Sequence, residues 1–284
     1  MKKTLTAGMA FGGLLFRRSL LPGMGIFLAV LAGQWGSFWR ILEWMKEQGY
    51  SLTADTVEDG RTVTQSIPWA PRLEDFLAGS HWRWFFLGGL LLMMVMLAVL
   101  PPLLSRGSRA AATCWRLPAR REVLLAGGLW WSFCWMLLYW IWELVSLTGC
   151  WMLYRQLVPV DLQMDNALVM ALVRYSFLDG IFPLTRPALL PLVLLQLMLL
   201  GAMGAMAGLW LMVPGRTGWL ILPLSSVLLF SVLEELSIRP AYSWPAPTLI
   251  LCVAVWFGWM LRGRLKEDPM TGSREDSWQE EGGR

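Results

Sequence analysis

Few side chains in this sequence have the types and spacing needed for catalysis or metal binding. His81 is the only histidine, and the four cysteines, Cys114, Cys134, Cys150 and Cys252, show no Cys-x-x-Cys spacing. A zinc site or a nucleophilic triad needs several such side chains together. We therefore interpret the cysteines as packing residues and expect neither a metal nor a cofactor. The sequence also has no G-x-x-x-x-G-K-[ST] phosphate loop. The chain by itself therefore cannot hydrolyse ATP with a phosphate loop of this type.

Glu143 is the first candidate for a functional acidic residue. It directly follows an uncharged run and stands among Tyr139, Trp140 and Trp142. A charge at the centre of a bilayer costs about 2.5–3.5 kcal/mol on insertion scales, so acids buried there tend to be functional. Near the membrane boundary the cost is far smaller. We expect Glu143 to lie at the outer boundary as an anchor, and the alternative is a contact with substrate or with a proton.

A second acidic pair occurs in the stretch Glu234-Glu235-Leu236-Ser237-Ile238-Arg239. The stretch resembles the E-E-x-x-x-R motif of the CAAX-type intramembrane endopeptidases, in which a glutamate and later histidines activate water. No histidine follows Glu235 here, so the second acid–base partner is missing. We interpret Glu234 and Glu235 as interfacial acids within reach of Arg239.

Composition and hydropathy indicate the elements that must position these residues. The chain is 56% hydrophobic and 15% charged, whereas a soluble domain carries roughly 25% charge. Six uncharged stretches are long enough to cross a bilayer of about 30 Å. Because every backbone N–H and C=O group in lipid must be hydrogen-bonded within the protein, we expect these stretches to be helices. The stretches are 19–39, 84–104, 123–142, 187–213, 217–233 and 240–261. No stretch alternates as a membrane β-barrel strand would.

Basic residues set the predicted orientation. The segment 105–121 contains five arginines and no acid, whereas the segment after the first helix is rich in acids. The positive-inside rule therefore places both termini in the cytoplasm. The start MKKTLTAGMAFGGLLF is similar to a signal peptide, but Arg17 and Arg18 follow without a cleavage site, so we predict an uncleaved cytoplasmic segment. We expect a transmembrane domain over residues 1–262 and a disordered cytoplasmic tail over 263–284.

Two long outer loops are predicted, at residues 40–83 and 147–186. In the first, Asp59-Gly60 lies between Thr- and Val-rich flanks and predicts a small β-hairpin. In the second, Asp165 or Asn166 is placed to cap a short helix. Arg174 and Asp179 in that stretch argue against a seventh span and favour an interfacial or re-entrant helix. A seventh span would invert everything after it.

The cytoplasmic loop between the second and third helices, about residues 105–122, contains the most informative motif. Pro118 suits the first turn of a helix, and Glu122 suits a helix N-terminus. We predict a short interfacial helix, a turn at Pro118 and then the third span. Taken alone, the arginines are also explained as topology anchors.

The run Leu117-Pro118-Ala119-Arg120-Arg121-Glu122, just before the third of six spans, resembles the type-2 permeases of ATP-binding-cassette transporters. In that family this loop carries a Leu-Pro-small-Arg-x-x-hydrophobic pattern. The resemblance implies a contact with the ATPase subunit, made by Arg116, Leu117, Pro118, Arg120, Arg121 and Glu122. The outer loop 147–186 is longer than the family's usual link between the third and fourth helices.

The resemblance implies an all-α integral membrane protein with six transmembrane helices, which acts as a permease subunit and is not itself an enzyme. A separate nucleotide-binding ATPase subunit and a second permease subunit, identical or not, would be its partners, with membrane lipid and no nucleic acid. The expected function is export of a peptide, lipid or drug-like substrate across a bacterial plasma membrane. The alternatives are a non-transporting assembly or sensory subunit and, less favoured, the endopeptidase.

The fourth predicted helix carries small residues at helical spacing, namely Gly201, Gly204 and Gly208. Small residues four apart let two helices approach closely in lipid. We expect these glycines to pack helices, either within the subunit or at a dimer interface.

Overall fold

The computed structural model describes residues 2–49, 51–58, 61–68, 72–105, 122–212 and 255. Besides the helices and strands named next, the described chain has two short 3₁₀ helices, Val160–Leu162 and Pro187–Leu189. The helices and strands are α1 (Lys2–Glu47), β1 (Ser51–Glu58), β2 (Arg61–Pro68), α2 (Leu73–Gly79), α3 (Trp82–Ser105), α4 (Glu122–Leu157), α5 (Ala167–Arg174), α6 (Ser176–Ile181) and α7 (Leu190–Met212).

Four of the described helices are long and apolar enough to cross a membrane. The candidate spans are Phe11–Glu47, Trp82–Leu103, Leu125–Leu157 and Pro187–Leu209. They match the first four predicted stretches, so the chain is a helical protein with several candidate membrane-spanning helices. The predicted spans 217–233 and 240–261, the interfacial helix before residue 122 and the tail 263–284 lie outside the described residues.

α1 and α4 lie side by side and run in the same direction. Ser19 of α1 contacts Trp131 of α4, and Gln34, further along α1, contacts Glu143, further along α4. Both helices therefore rise together from one end of the bundle. We call this end the loop end, because α3 ends and α4 begins there. The opposite end, where the β-hairpin follows α1, is the hairpin end.

α7 is antiparallel to α4 and parallel to α3. The backbone of Gly201 faces Ser132 of α4, whereas Leu209 reaches back to Gly128. The four long helices therefore alternate in direction along the chain, as a chain threading a membrane must. α5 and α6 have 8 and 6 residues, too few to span a bilayer that needs about 20. α4 continues to Leu157, so the predicted outer loop 147–186 is shorter at its start than expected, and no helix among residues 158–186 is long enough to be a candidate span.

The glycines of α7 lie at its contacts with two other helices. Gly201 faces α4, while Gly204 and Gly208 face α3 near Leu97. A Cβ atom at Gly208 would lie 2.7 Å from the carbonyl oxygen of Leu97. The backbones of α3 and α7 are therefore as close there as two helices can come.

The predicted β-hairpin is present after α1. β1 and β2 pair antiparallel, in a register that runs from Ser51–Pro68 to Glu58–Arg61. Two residues, Asp59 and Gly60, connect the strands, which is the commonest hairpin loop length.

A layer of short helices covers the hairpin end of α1 and α4. Phe76 of α2 packs its ring against Phe38 of α1 and Tyr154 of α4, with centroids 6.1 Å and 6.0 Å apart. α5 begins where predicted, with Asn166 at its N-cap, but the side chain of Asn166 makes no capping hydrogen bond. The predicted side-chain cap by this residue is therefore wrong. Asn166 has φ 59°, a left-handed turn that asparagine tolerates.

Candidate functional site

The most polar position in the helix bundle is formed by Gln34 of α1 with Glu143 and Ser146 of α4, which we call the polar node. The amide nitrogen Nε2 of Gln34 donates to Oε2 of Glu143 at 2.8 Å. The hydroxyl Oγ of Ser146 donates to Oε1 of Gln34 at 2.5 Å. All three side chains are 0% exposed. Gln34 therefore uses both ends of its amide to join the two helices.

Helix geometry explains why α4 presents these groups together. Glu143 and Ser146 are three residues apart, and Tyr139 is four residues before Glu143, so all three lie on one face. The hydroxyl of Tyr139 donates to the carbonyl oxygen of Phe86 in α3 at 2.7 Å. This single face of α4 thus binds α1 through the polar node and α3 through Tyr139.

Aromatic rings of α1 and α4 pack against one another beside the polar node, whose three side chains are buried. Phe27 of α1 stacks on Trp142, with centroids 5.3 Å apart and an angle of 17°, and its ring also meets Tyr139 at 5.9 Å. The indole nitrogen of Trp142 donates to the backbone oxygen of Phe27 at 3.2 Å. Hydrogen bonds in such low-dielectric surroundings are electrostatically stronger than in water.

Glu143, which we expected to act as an anchor near the outer boundary, is fully buried between helices. α4 continues as one helix to Leu157, and α1 runs alongside it to Glu47. Glu143 therefore faces Gln34 of the neighbouring helix α1. The sequence contained one signal for its partner, because Gln34 is the only side-chain amide in the uncharged stretch 19–39.

The chemistry available at the polar node is hydrogen bonding. Oε1 of Glu143 is buried and has no donor in good hydrogen-bond geometry among the described residues, and the hydroxyl of Tyr139 lies close to the same carboxyl group. A carboxylate accepts hydrogen bonds through both oxygens, so this atom can accept one more. The other two side chains of the polar node, Gln34 and Ser146, supply an amide and a hydroxyl, and neither acts readily as an acid or a base. The described part of the chain also contains no group of three metal-ligating side chains.

A second polar contact joins α1 and α4 nearer the loop end. The hydroxyl of Ser19 accepts from the indole nitrogens of Trp131 and Trp135 at 2.8 Å and 2.7 Å. It also donates to the backbone oxygen of Phe16 at 2.9 Å. Every hydrogen-bonding group in this contact is therefore satisfied. This contact was not predictable from the sequence, because a serine in an apolar run gives no sign of its partner.

Ionisable residues also meet in the layer at the hairpin end. Glu74 of α2 is almost fully buried, and its Oε1 lies 3.7 Å from Nη1 of Arg174 in α5. This distance allows an ion pair but no hydrogen bond. Nearby, burial raises the pKa of the Tyr175 hydroxyl, against the lowering influence of Arg83. The arginine that argued against a seventh span thus holds α5 to α2.

Most of the predicted site residues lie elsewhere in the chain. Glu122 is the first residue of α4, and its side chain is not described. The structure does not bring Glu143 together with any other predicted site residue that it describes. Outside the described residues are Arg116, Leu117, Pro118, Arg120, Arg121, Glu234 and Glu235.

No known protein-family profile matches this chain, and neither a curated protein nor a solved structure matches it.

Proposed function

We propose that this chain is the membrane-spanning permease subunit of an ATP-driven exporter of a peptide, lipid or drug-like substrate. One observation carries the proposal: the motif Leu117-Pro118-Ala119-Arg120-Arg121 immediately precedes a long apolar helix, in a loop with five arginines and no acid. The motif is similar to the loop through which type-2 permeases contact their ATPase. ATP hydrolysis is accordingly assigned to a separate subunit.

The arrangement of the helices supports this proposal. α3 ends at Ser105 and α4 begins at Glu122, so the motif lies between the ends of two candidate spans at the loop end. Arg17 and Arg18 are exposed on α1 near the same end. A shared basic end suits the cytoplasmic side of a membrane. The proposal therefore includes the orientation with both termini inside, six spans and a bacterial plasma membrane.

The coupling route in this proposal is short. α4 starts one residue after Arg121 and runs without interruption past the polar node. A displacement of the loop by an ATPase would reach the α1–α4 contact through one rigid helix. In the proposal a second permease subunit, identical or different, completes the transport path.

The test is co-purification of the ATPase. The full chain is purified in mild detergent from its native cells, and associated nucleotide-binding subunits are identified by mass spectrometry. Charge reversal by Arg120→Glu and Arg121→Glu should abolish the association. The matched control is Arg106→Glu with Arg109→Glu, which changes the same charge in the same loop outside the motif and should leave the complex intact. An unchanged complex in the motif variant, or the absence of any ATPase with the native chain, would refute the proposal.

The second candidate function is a non-transporting assembly or sensory subunit. The layer formed by α2, α5 and α6 favours it, because Leu73 and Leu77 anchor a structured unit at the hairpin end where a partner could bind. The same purification separates the two candidates. A stable partner other than an ATPase, retained by the Arg120 and Arg121 variant, would support the assembly subunit.

A further inference from the structure

The carboxyl group of Glu143 lies inside the helix bundle with no described cation beside it. Its side chain is fully buried, and the only ion pair among the described residues lies at the hairpin end, between α2 and α5. On α1, Arg40 and Glu43 are exposed, and Arg83 of α3 stacks on the ring of Trp84. A buried carboxylate without a cation is much less stable than a carboxylate in water, so such groups tend to take up a proton.

The described helices packed around Glu143 present uncharged groups to it. α1 presents the amide of Gln34, α3 approaches this face of α4 at Phe86, and α7 contains no ionisable residue. On α4 itself, the titratable groups close to Glu143 are the hydroxyl of Tyr139 and the thiol of Cys150. Both are uncharged at neutral pH. No described neighbour can therefore neutralise an ionised Glu143.

The directions of the hydrogen bonds show where a hydrogen is missing. Oε2 of Glu143 accepts from Nε2 of Gln34, whereas Oε1 has no donor in good geometry. The hydroxyl of Tyr139 lies close to the carboxyl group, but it donates its single hydrogen to the carbonyl oxygen of Phe86 at 2.7 Å. Only its oxygen lone pairs remain for Glu143. An ionised carboxylate would therefore set two acceptors against each other, whereas a protonated carboxyl group supplies the missing hydrogen.

We infer that Glu143 is a proton-binding site of the helix bundle, with the proton on Oε1 and donated to the hydroxyl oxygen of Tyr139. The proton completes a chain of hydrogen bonds in which every donor points the same way, from Ser146 to Gln34, then Glu143, Tyr139 and the backbone oxygen of Phe86. This chain joins α4 to both α1 and α3. Loss of the proton breaks it and leaves a charge between the helices. The inference does not depend on the proposed transport function.

Proton binding at this site also sets the sign of a pH dependence. In the unfolded chain, Glu143 ionises in the ordinary range of a glutamate, at about pH 4.3. The folded chain keeps the proton above that range, so it binds more protons than the unfolded chain. Its stability must then fall as the pH rises, by up to about tenfold in the folding equilibrium constant per pH unit. Glu143→Gln is neutral at every pH and should lack this contribution.

The test is infrared spectroscopy of the full chain in bilayers of ether-linked lipids, which have no carbonyl groups of their own. A protonated carboxyl group gives a carbonyl band separate from the amide bands. At about pH 6, where exposed carboxyl groups are ionised, we expect this band in the difference spectrum between the native chain and Glu143→Gln. The matched control is Glu74→Gln, which removes the buried carboxyl group that has Arg174 beside it and should leave the band intact. Raising the pH should remove the band from the native chain.

A second variant tests the acceptor of the proton. Tyr139→Phe removes the hydroxyl oxygen and should change the frequency or intensity of the Glu143 band. Tyr175→Phe removes a hydroxyl in the layer at the hairpin end, away from the polar node, and should leave the band unchanged. The amide I band reports whether each variant keeps the native helix content. If Glu143→Gln does not fold, the pH titration of the native chain and the Tyr139→Phe spectrum decide the question.

Three results would overturn the inference. The first is a folded Glu143→Gln variant whose carbonyl region is identical to that of the native chain. The second is a band that disappears in Glu74→Gln instead. The third is a band that Tyr139→Phe leaves unchanged, which would show that the proton is not donated to this hydroxyl.

Discussion

Gly208 gives the most quantitative test of how α3 and α7 pack. A Cβ atom at this position would lie 2.7 Å from the carbonyl oxygen of Leu97, 3.0 Å from that of Ala98 and 3.0 Å from Cγ of Pro101. Two of these atoms belong to the backbone, so they cannot rotate away. For Gly208→Ala, the helices must separate by about half an ångström or more to reach ordinary contact distances.

The expected cost follows from a comparison with a glycine in open space. A Cβ at Gly36 of α1 would meet nothing within 4 Å, so Gly36→Ala measures the change in helix propensity alone. Overpacking costs about 1–3 kcal/mol, and we expect Gly208→Ala to be less stable than Gly36→Ala by that amount. Gly204→Ala, whose nearest neighbour would be Cβ of Leu97 at 3.2 Å, should fall between the two.

The assay is reversible unfolding by sodium dodecyl sulfate in mixed micelles, followed by tryptophan fluorescence. The native chain and the three alanine variants are compared under identical conditions. Equal stability of Gly208→Ala and Gly36→Ala would show that α3 and α7 are not in close backbone contact at Leu97. The parallel arrangement of these two helices would then also lose its main support.

The other predictions use the same unfolding assay. Ser19→Ala leaves two buried indole donors without their acceptor and should destabilise the chain by at least about 1 kcal/mol, whereas Ser37→Ala, which loses only a local bond to its own helix, should be close to native. Glu143→Leu should cost about 1–3 kcal/mol by stranding the amide of its partner, and Glu143→Gln should cost clearly less; equal losses would contradict the geometry of the polar node. Arg174→Ala should cost no more than about 1 kcal/mol, because its side chain is 44% exposed and solvent screens its pairing with Glu74.

Hydropathy predicted where the first four spans lie, but not how far their helices extend. The uncharged stretch of the first span ends at Trp39, whereas α1 continues through Arg40 and Glu43 to Glu47. A charged residue ends the part of a helix that lipid tolerates, but it need not end the helix. The hairpin was predictable because a two-residue Asp-Gly connection is a strong local signal.

The polar node was only half predictable. The sequence singles out Glu143 by its charge and Gln34 as the one side-chain amide of its uncharged stretch, but it does not show that these two residues, more than a hundred apart in the chain, are neighbours. Which helices are adjacent depends on packing among all of them, including the close approaches at Gly208 and Gly23. Hydropathy reports whether a segment suits lipid and contains no information about its neighbours.

The distribution of proline makes the described long helices mechanically unequal. Pro22 lies inside α1, and Pro101 with Pro102 lies inside α3, where each proline removes a backbone hydrogen-bond donor. α4 has no proline in its 36 residues. At 1.5 Å per residue α4 is a continuous rod of about 54 Å, considerably longer than a bilayer core of about 30 Å. Because α1 and α3 contain proline and α4 does not, α1 and α3 are the helices in which bending is favoured. α4 is then the straight, rigid helix beside which they would bend.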